Sequence, residues 1–135
     1  MRRDQMKTAK PKEAEARIDP ETSAKILRIV SINNAFYFYK DIGQYADRYS
    51  TSLSDFSNAL QTIDVRSIEF HFDGGDFVSW IRGTLEDTEL ANQIEKISKN
   101  TKGEELRKTL YQIVEARLTK LKKIQASEES YIERG

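Results

Sequence analysis

The longest periodic segment of the chain runs from Thr101 to about Ile124, and it constrains the fold more than any other stretch. Thr101 followed three residues later by Glu104 forms a capping box, so a helix is expected to begin here. With about 100° between successive residues, the apolar side chains share one broad face: Leu106, Leu110, Ile113, Val114, Leu118, Leu121 and Ile124. The sequence therefore predicts an amphipathic C-terminal helix of about six turns, longer than a domain of this size needs.

Arg117 is a charged residue within this apolar face. The favoured interpretation is that its guanidinium extends past the core to solvent or pairs with one acid, and the other is that it contacts a ligand or partner. We include it among the candidate partner-binding residues of the helix, which are Tyr111, Arg117, Lys120, Lys122 and Lys123.

Composition limits the classes of protein that fit. With 135 residues, 38% of them hydrophobic, the chain can fold one domain with a core of its own. Its 22 basic and 22 acidic residues balance, so there is no global field to attract nucleic acid or an anionic membrane. The absence of cysteine excludes disulfides, thiolate metal sites and cysteine nucleophiles. Because no apolar run is long enough for a membrane span and no hydrophobic segment follows the charged N-terminus, we expect a cytoplasmic protein.

The two ends of the chain differ from the middle. Residues 1–18 are predicted to be a disordered basic arm, with Asp4 as the only acid among five cations of its first twelve residues: Arg2, Arg3, Lys7, Lys10 and Lys12. A solubilising tail is the favoured interpretation, and docking on RNA or another polyanion is the alternative. Residues 19–125 are predicted to form a single globular domain, and residues 126–135 a flexible tail.

Several shorter elements are predicted before the long helix. Asp19 can cap a helix over about residues 20–31, which carries proline at its first position. The aromatic run of residues 36–39, followed by Asp41-Ile42-Gly43, indicates a β-hairpin. Ser52 can cap a helix that ends near Thr62.

Residues 67–72 fit two structures. Ile68, Phe70 and Phe72 alternate with Glu69 and His71, which favours a half-buried strand slightly over a short helix that begins at residue 64 or 67.

Two further helices follow the Gly74-Gly75 pair. Asp76 is expected to cap the first and Asp87 the second. Together the elements indicate an α+β domain that is mainly α, with a small aromatic hairpin or sheet packed against four or five helices.

The stretch His71-x-Asp73-x-x-Asp76 is the only cluster that combines imidazole with nearby carboxylates. One histidine without a second nitrogen or sulfur donor is a weak metal or catalytic signal. We expect His71 to donate a structural hydrogen bond to a backbone carbonyl, and we assign structural roles to His71, Asp76 and Trp80.

The glycine pair is explained by a turn with positive φ rather than by phosphate binding, since Asp76 would repel an anion. The sequence thus predicts no catalytic, cofactor-binding or metal-binding residue, no cofactor, no small-molecule substrate and no enzyme.

The aromatic run has a second interpretation. Residues 36–39, with Tyr45 and Tyr49 nearby, could form a platform on which bases or sugar rings stack. Because acids stand beside the candidate cations Lys40, Arg48 and Arg66, packing in the core and the hairpin is favoured for these aromatics.

These motifs also carry a resemblance. The chain is similar, over residues 35 to about 121, to an uncharacterised family of small prokaryotic domains that is often archaeal. The shared residues are Ala35 to Tyr39, Ser52-Leu53-x-x-Phe56, Ser67-Ile68-x-Phe70-His71, Gly75-Asp76-Phe77-x-x-Trp80-Ile81 and Leu90-Ala91. The family commonly has a basic residue in place of Gly74 and Gly-Asp in place of Glu86-Asp87. The resemblance implies an intact domain in a prokaryotic cytoplasm and supplies no activity.

The leading hypothesis is a non-enzymatic interaction module, which binds a protein partner or a second copy of itself through the C-terminal helix. The alternative is an RNA- or ribosome-associated factor tethered by the basic arm.

Overall fold

A computed structural model describes the backbone of residues 18–134 and the side chains of residues 18–127. The elements of this described part are α1 (Pro20–Leu27), a 3-10 turn (Ile32–Asn34), β1 (Phe36–Asp41), β2 (Gln44–Ser50), α2 (Leu53–Thr62), α3 (Val65–Asp73), α4 (Asp76–Trp80), α5 (Thr88–Glu95) and α6 (Gly103–Arg134). The predicted class is confirmed: the fold is α+β and mainly α, with one aromatic hairpin and a long C-terminal helix.

The hairpin separates its aromatic residues by strand alternation. Phe36 and Phe38 are buried in the core, whereas Tyr37 and Tyr39 are only half-buried on the opposite face. Tyr37 pairs with Tyr49 and Tyr39 with Tyr45. Between these two pairs, β2 contains two more residues than β1. The excess forms a bulge that places the tyrosines of both strands on one outer face.

Residues Val65–Asp73 form helix α3, so the prediction of a strand there is wrong. Ser67, Ile68, His71 and Phe72 are all buried, and their spacing is that of one helical face. Phe70, which the strand pattern placed beside Ile68 and Phe72, is only half-buried. The carboxylate of Asp64 accepts from the backbone N–H of Arg66 and starts the helix.

The helix starts are partly as predicted. Asp19, Ser52 and Asp87 each cap a helix by accepting a backbone N–H bond, which confirms those three assignments. Asp76 does not cap α4: the N-cap is Gly75, which has a φ of 74°, and Asp76 is the first helical residue. Gly75 therefore explains the turn, while Gly74 has an ordinary φ of −84°.

One helix end differs from the prediction. Helix α1 ends at Leu27, four residues early, because the chain turns extended at Arg28. Helix α4 continues as a π-helix over Ile81–Leu85, which ends at Glu86 with a φ of 66°.

Helix α6 lies against α1, α2, α3 and α5 and buries its apolar face in the core. Its start is built differently from the predicted capping box. The backbone N–H of Gly103 donates to the carboxylate of Glu69 at 2.7 Å, and Glu104 pairs with Arg107 at 2.6 Å. The backbone of the predicted C-terminal tail is helical as far as Arg134.

Among the described residues, none of the helices is both long and apolar enough to cross a membrane.

Candidate functional site

His71 connects α3, β1 and the start of α4. Its Nε2 accepts from the backbone N–H of Tyr39 at 2.8 Å, and Nδ1 lies 2.8 Å from the carboxylate of Asp76. Because Tyr39 supplies a donor, Nε2 must carry the lone pair, and the proton of the neutral ring therefore sits on Nδ1 and is donated to Asp76. The predicted donation to a backbone carbonyl is thus wrong in direction: the imidazole accepts from the backbone.

The surroundings of His71 favour its neutral form. The residue is 4% exposed, and its ring lies edge-on to Phe36 with 4.8 Å between the ring centroids. Burial lowers the pKa of His71, and the Asp76 carboxylate opposes this without reversing it. With both ring nitrogens engaged inside the protein, the imidazole has no free position for a substrate or a metal ion.

The third member of the candidate cluster does not join it. Asp73 is exposed at the end of α3, and its carboxylate lies 3.7 Å from the ammonium of Lys102. Within the described part of the chain, no group of three or more histidine, aspartate or glutamate side chains could hold a metal ion.

Trp80 ties α4 to the segment before β1. Its indole Nε1–H donates to the carbonyl of Asn34 at 2.8 Å, and the ring packs edge-on against Phe36. Both rings therefore pack against Phe36, and their hydrogen bonds attach the helices to β1 at Tyr39 and to the segment before it at Asn34.

Arg117 is buried rather than presented to a partner. Its guanidinium is 5% exposed and makes two bonds of 2.8 Å to the carboxylate of Asp87. A second acid is near, since Nη1 of Arg117 lies 3.8 Å from the carboxylate of Glu89. The sequence favours pairing with one acid, and the structure shows Asp87 as the hydrogen-bonded partner with Glu89 beside it.

The other candidate contacts of α6 do not form one patch. Tyr111 is half-buried and its hydroxyl contacts the side-chain amide of Gln61. Lys120 follows nine residues later, which is about 180° around the helix. Lys122 and Lys123 are exposed near the end of the described side chains. The arm residues Arg2, Arg3, Lys7, Lys10 and Lys12 lie outside the described residues.

One shallow cavity of about 270 Å³ lies beside Gly75, between α3, α4 and α5. Its charged groups are already engaged. Arg82 pairs with Glu95 at 3.1 Å, and the ammonium of Lys99 lies 5.0 Å from the centre of the Phe72 ring. Arg82 and Glu95 are therefore paired with each other, and the charge of Lys99 is held over the Phe72 ring.

The outer face of the hairpin is the more open site. We name Tyr37, Tyr39, Tyr45 and Tyr49 the tyrosine face. Their neighbouring ring centroids are 5.2 to 6.1 Å apart, so the four rings form a continuous aromatic surface. The alternation of phenylalanine and tyrosine in β1 was the signal for this face, and the sequence-based interpretation weighted it toward internal packing.

These features define a small helical domain in which the histidine and tryptophan hold the elements together instead of lining an open cleft. Residues 33–132 match the model of a family of unknown function, DUF5752, and the chain belongs to this family. The match covers the hairpin and the later helices up to residue 132 of α6, whereas α1 lies before it. No curated protein and no solved structure matches the chain.

Proposed function

We propose that this protein is a non-enzymatic interaction module that binds a protein partner, and that the outer side of the hairpin is its main contact surface. One observation carries the proposal. Within the described residues, the large hydrophobic side chains that are exposed all belong to residues 29–49: Ile29, Ile32, Ile42, Tyr45 and Tyr49. The rings of Tyr45 and Tyr49 are continuous with those of Tyr37 and Tyr39, and an exposed apolar patch marks a binding site.

The hairpin supports this role because it is held rigidly. Its inner face is anchored by Phe36 and Phe38, and the backbone of Tyr39 is fixed by His71. The tyrosine face is therefore presented in one geometry, which reduces the ordering cost of binding.

The C-terminal helix is the second candidate contact, for a partner or a second copy of the chain. Its apolar side chains are used internally, since Leu106, Leu110, Val114, Leu118 and Leu121 are all buried. What the described part of the helix offers a partner is its polar side, including Lys122 and Lys123. This is why we favour the hairpin over the helix.

Tethering to RNA or the ribosome by the basic arm stays a prediction, and so does the cytoplasmic location, which the cysteine-free composition supports. Binding of RNA by the arm would weaken steeply with salt.

Affinity capture from a lysate of the source organism, with and without nuclease, tests the proposal. The full-length protein is compared with a Tyr45→Ser/Tyr49→Ser variant and with a Lys122→Ser/Lys123→Ser variant as the matched surface control. We expect a nuclease-resistant partner that the tyrosine variant loses and the lysine variant retains.

Other outcomes are equally informative. Loss only in the lysine variant would move the contact to the helix, and loss on nuclease treatment would favour RNA. A protein that retains no partner and is monomeric by light scattering at near-native concentration would contradict the interaction module itself.

A further inference from the structure

The tyrosine face is bordered by a carboxylate on its β2 side. Asp47 lies between Tyr45 and Tyr49 in sequence, and together with Arg48 and Asp55 these residues line an open depression of about 420 Å³. Aromatic faces carry partial negative charge above the ring, so a cation placed here meets attraction from the rings and from the carboxylate.

The charges around this depression do not cancel completely. Arg48 is held by Asp55, with 3.2 Å between its guanidinium and the carboxylate, and it also donates to the carbonyl of Tyr49. Asp47 forms no salt bridge with any of the described residues. After Arg48 and Asp55 are paired, the depression keeps the negative charge of Asp47.

Asp47 also has an uncommon backbone conformation. Its φ of 61° lies in the left-handed region, at the bulge where β2 departs from regular pairing with β1. Aspartate tolerates this region better than most residues, yet such positions often belong to functional surfaces. The bulge keeps the carboxylate beside the exposed ring of Tyr45, and the Asp47 charge is among the causes that raise the pKa of that tyrosine, after burial and the charge of Tyr37.

We propose that the tyrosine face and Asp47 bind an arginine-containing basic segment of a partner protein, with a guanidinium stacked on Tyr45 or Tyr49 and paired with the Asp47 carboxylate. Arginine fits better than lysine, because its planar guanidinium can stack on a ring and bind a carboxylate in the same pose. This inference rests on the proposed function and names the chemistry of the partner.

The same charges disfavour the stacking of nucleic acid bases on this face. Asp41 and Asp47 are both exposed at the hairpin, and each would repel the phosphates that accompany a stacked base. A basic peptide is therefore the occupant that both the rings and the carboxylates favour.

Fluorescence anisotropy with the full-length protein tests the proposal. The probes are a labelled peptide of alternating glycine and arginine, the same peptide with lysine, and a labelled oligouridylate. We expect the arginine peptide to bind more tightly than the lysine peptide. Asp47→Asn and Tyr45→Ser should each weaken its binding by about three- to fivefold.

Two features make the comparison sharp. Asparagine is nearly isosteric with aspartate and tolerates positive φ, so Asp47→Asn removes the charge while the backbone is kept. Glu105→Gln removes one exposed negative charge from α6 and should leave peptide binding unchanged. Circular dichroism and thermal melting of each variant establish that it is folded.

The proposal is overturned if Asp47→Asn binds the arginine peptide as the wild type does, or if Glu105→Gln weakens binding equally. Oligouridylate binding that is lost in Tyr45→Ser would make the face a nucleic acid site instead. If the captured partner depends on Tyr45 and Tyr49 but not on the Asp47 charge, the interaction module stands and the basic segment is wrong. If neither change affects capture, the hairpin is not the contact surface.

Discussion

Arg117 and Asp87 form a buried ion pair that joins the middle of α6 to the start of α5. Both side chains are at most 5% exposed, and the guanidinium Nε and Nη2 each lie 2.8 Å from a carboxylate oxygen. The same carboxylate caps α5 by accepting from the backbone N–H of Leu90. One aspartate therefore serves a helix start and the neutralisation of a buried cation.

The first prediction concerns this pair. Arg117→Met should lower the free energy of unfolding by about 3–5 kcal/mol, because it leaves the carboxylate of Asp87 buried without its partner. Combining it with Asp87→Asn should recover part of this loss, since asparagine keeps the capping oxygen without a charge. Urea unfolding of both single variants and the double variant measures the coupling.

The control for the ion pair is Lys25→Met, which breaks an exposed pair with Glu86. Its unfolding midpoint should stay close to that of the wild type, because exposed pairs contribute little. Strictly additive effects of the Arg117 and Asp87 changes would contradict the prediction.

The second prediction concerns pH. Burial lowers the pKa of His71 from its ordinary value of 6.5. There is therefore a pH range in which His71 binds a proton in the unfolded chain but not in the folded protein. The free energy of unfolding should therefore fall as the pH drops below about 6.5 and level off below the folded-state pKa. Asp19, Asp64 and Glu95 also have lowered carboxylate pKa values. These three groups change the free energy of unfolding mainly at pH values near or below their ordinary pKa values of 3.8 to 4.5.

Chemical denaturation at a series of pH values between about 4.5 and 8 measures this slope. A His71→Gln variant removes the titrating ring, so its stability should vary much less over the same range. Equal slopes for the variant and the wild type would show that another group is responsible.

The third prediction concerns the Gly75 turn. A Cβ at this position would meet no atom within 4 Å. The destabilisation by Gly75→Ala therefore comes only from holding an alanine at positive φ. We expect a loss of about 1–2 kcal/mol in the free energy of unfolding, and a smaller loss for Gly75→Asn. Gly83 is the matched control, since it has equal space without positive φ. Gly83→Ala should be neutral or slightly stabilising, and a similar loss at both glycines would refute the explanation by φ.

The fourth prediction separates two ways of starting α6. Glu69→Ala should lower stability by about 1 kcal/mol, because it removes the acceptor of the Gly103 N–H bond between α3 and α6. Thr101→Ala should stay within about 0.5 kcal/mol of the wild type. Thermal unfolding of the two variants decides between them, and the reverse order would mean that Thr101 is the cap after all.

Local patterns in the sequence predicted much of this fold. Asp19, Ser52 and Asp87 cap helices as expected, because a cap needs only a side chain and the backbone N–H two or three residues ahead. The aromatic hairpin and the apolar stripe of α6 were also predictable, since strand and helix periods can be read from neighbouring residues.

The candidate site was predicted less well. The alternation of β1 pointed to an outer tyrosine face, but Asp47 gave no signal because its conformation depends on the bulge.

What the sequence by itself determined, then, is the class of fold, most of the helices and the hairpin, which follow from contacts between residues close along the chain. The tertiary structure alone decided that residues 65–73 are a helix, that His71 accepts from Tyr39, that Glu69 caps α6 and that Arg117 is buried against Asp87. Each of these depends on a partner at least thirty residues away or on the face that the packed core leaves available. Ile68 and Phe72 satisfy both periods, and the burial of His71 on the same face, where its ring accepts from the backbone of Tyr39, accompanies the helix.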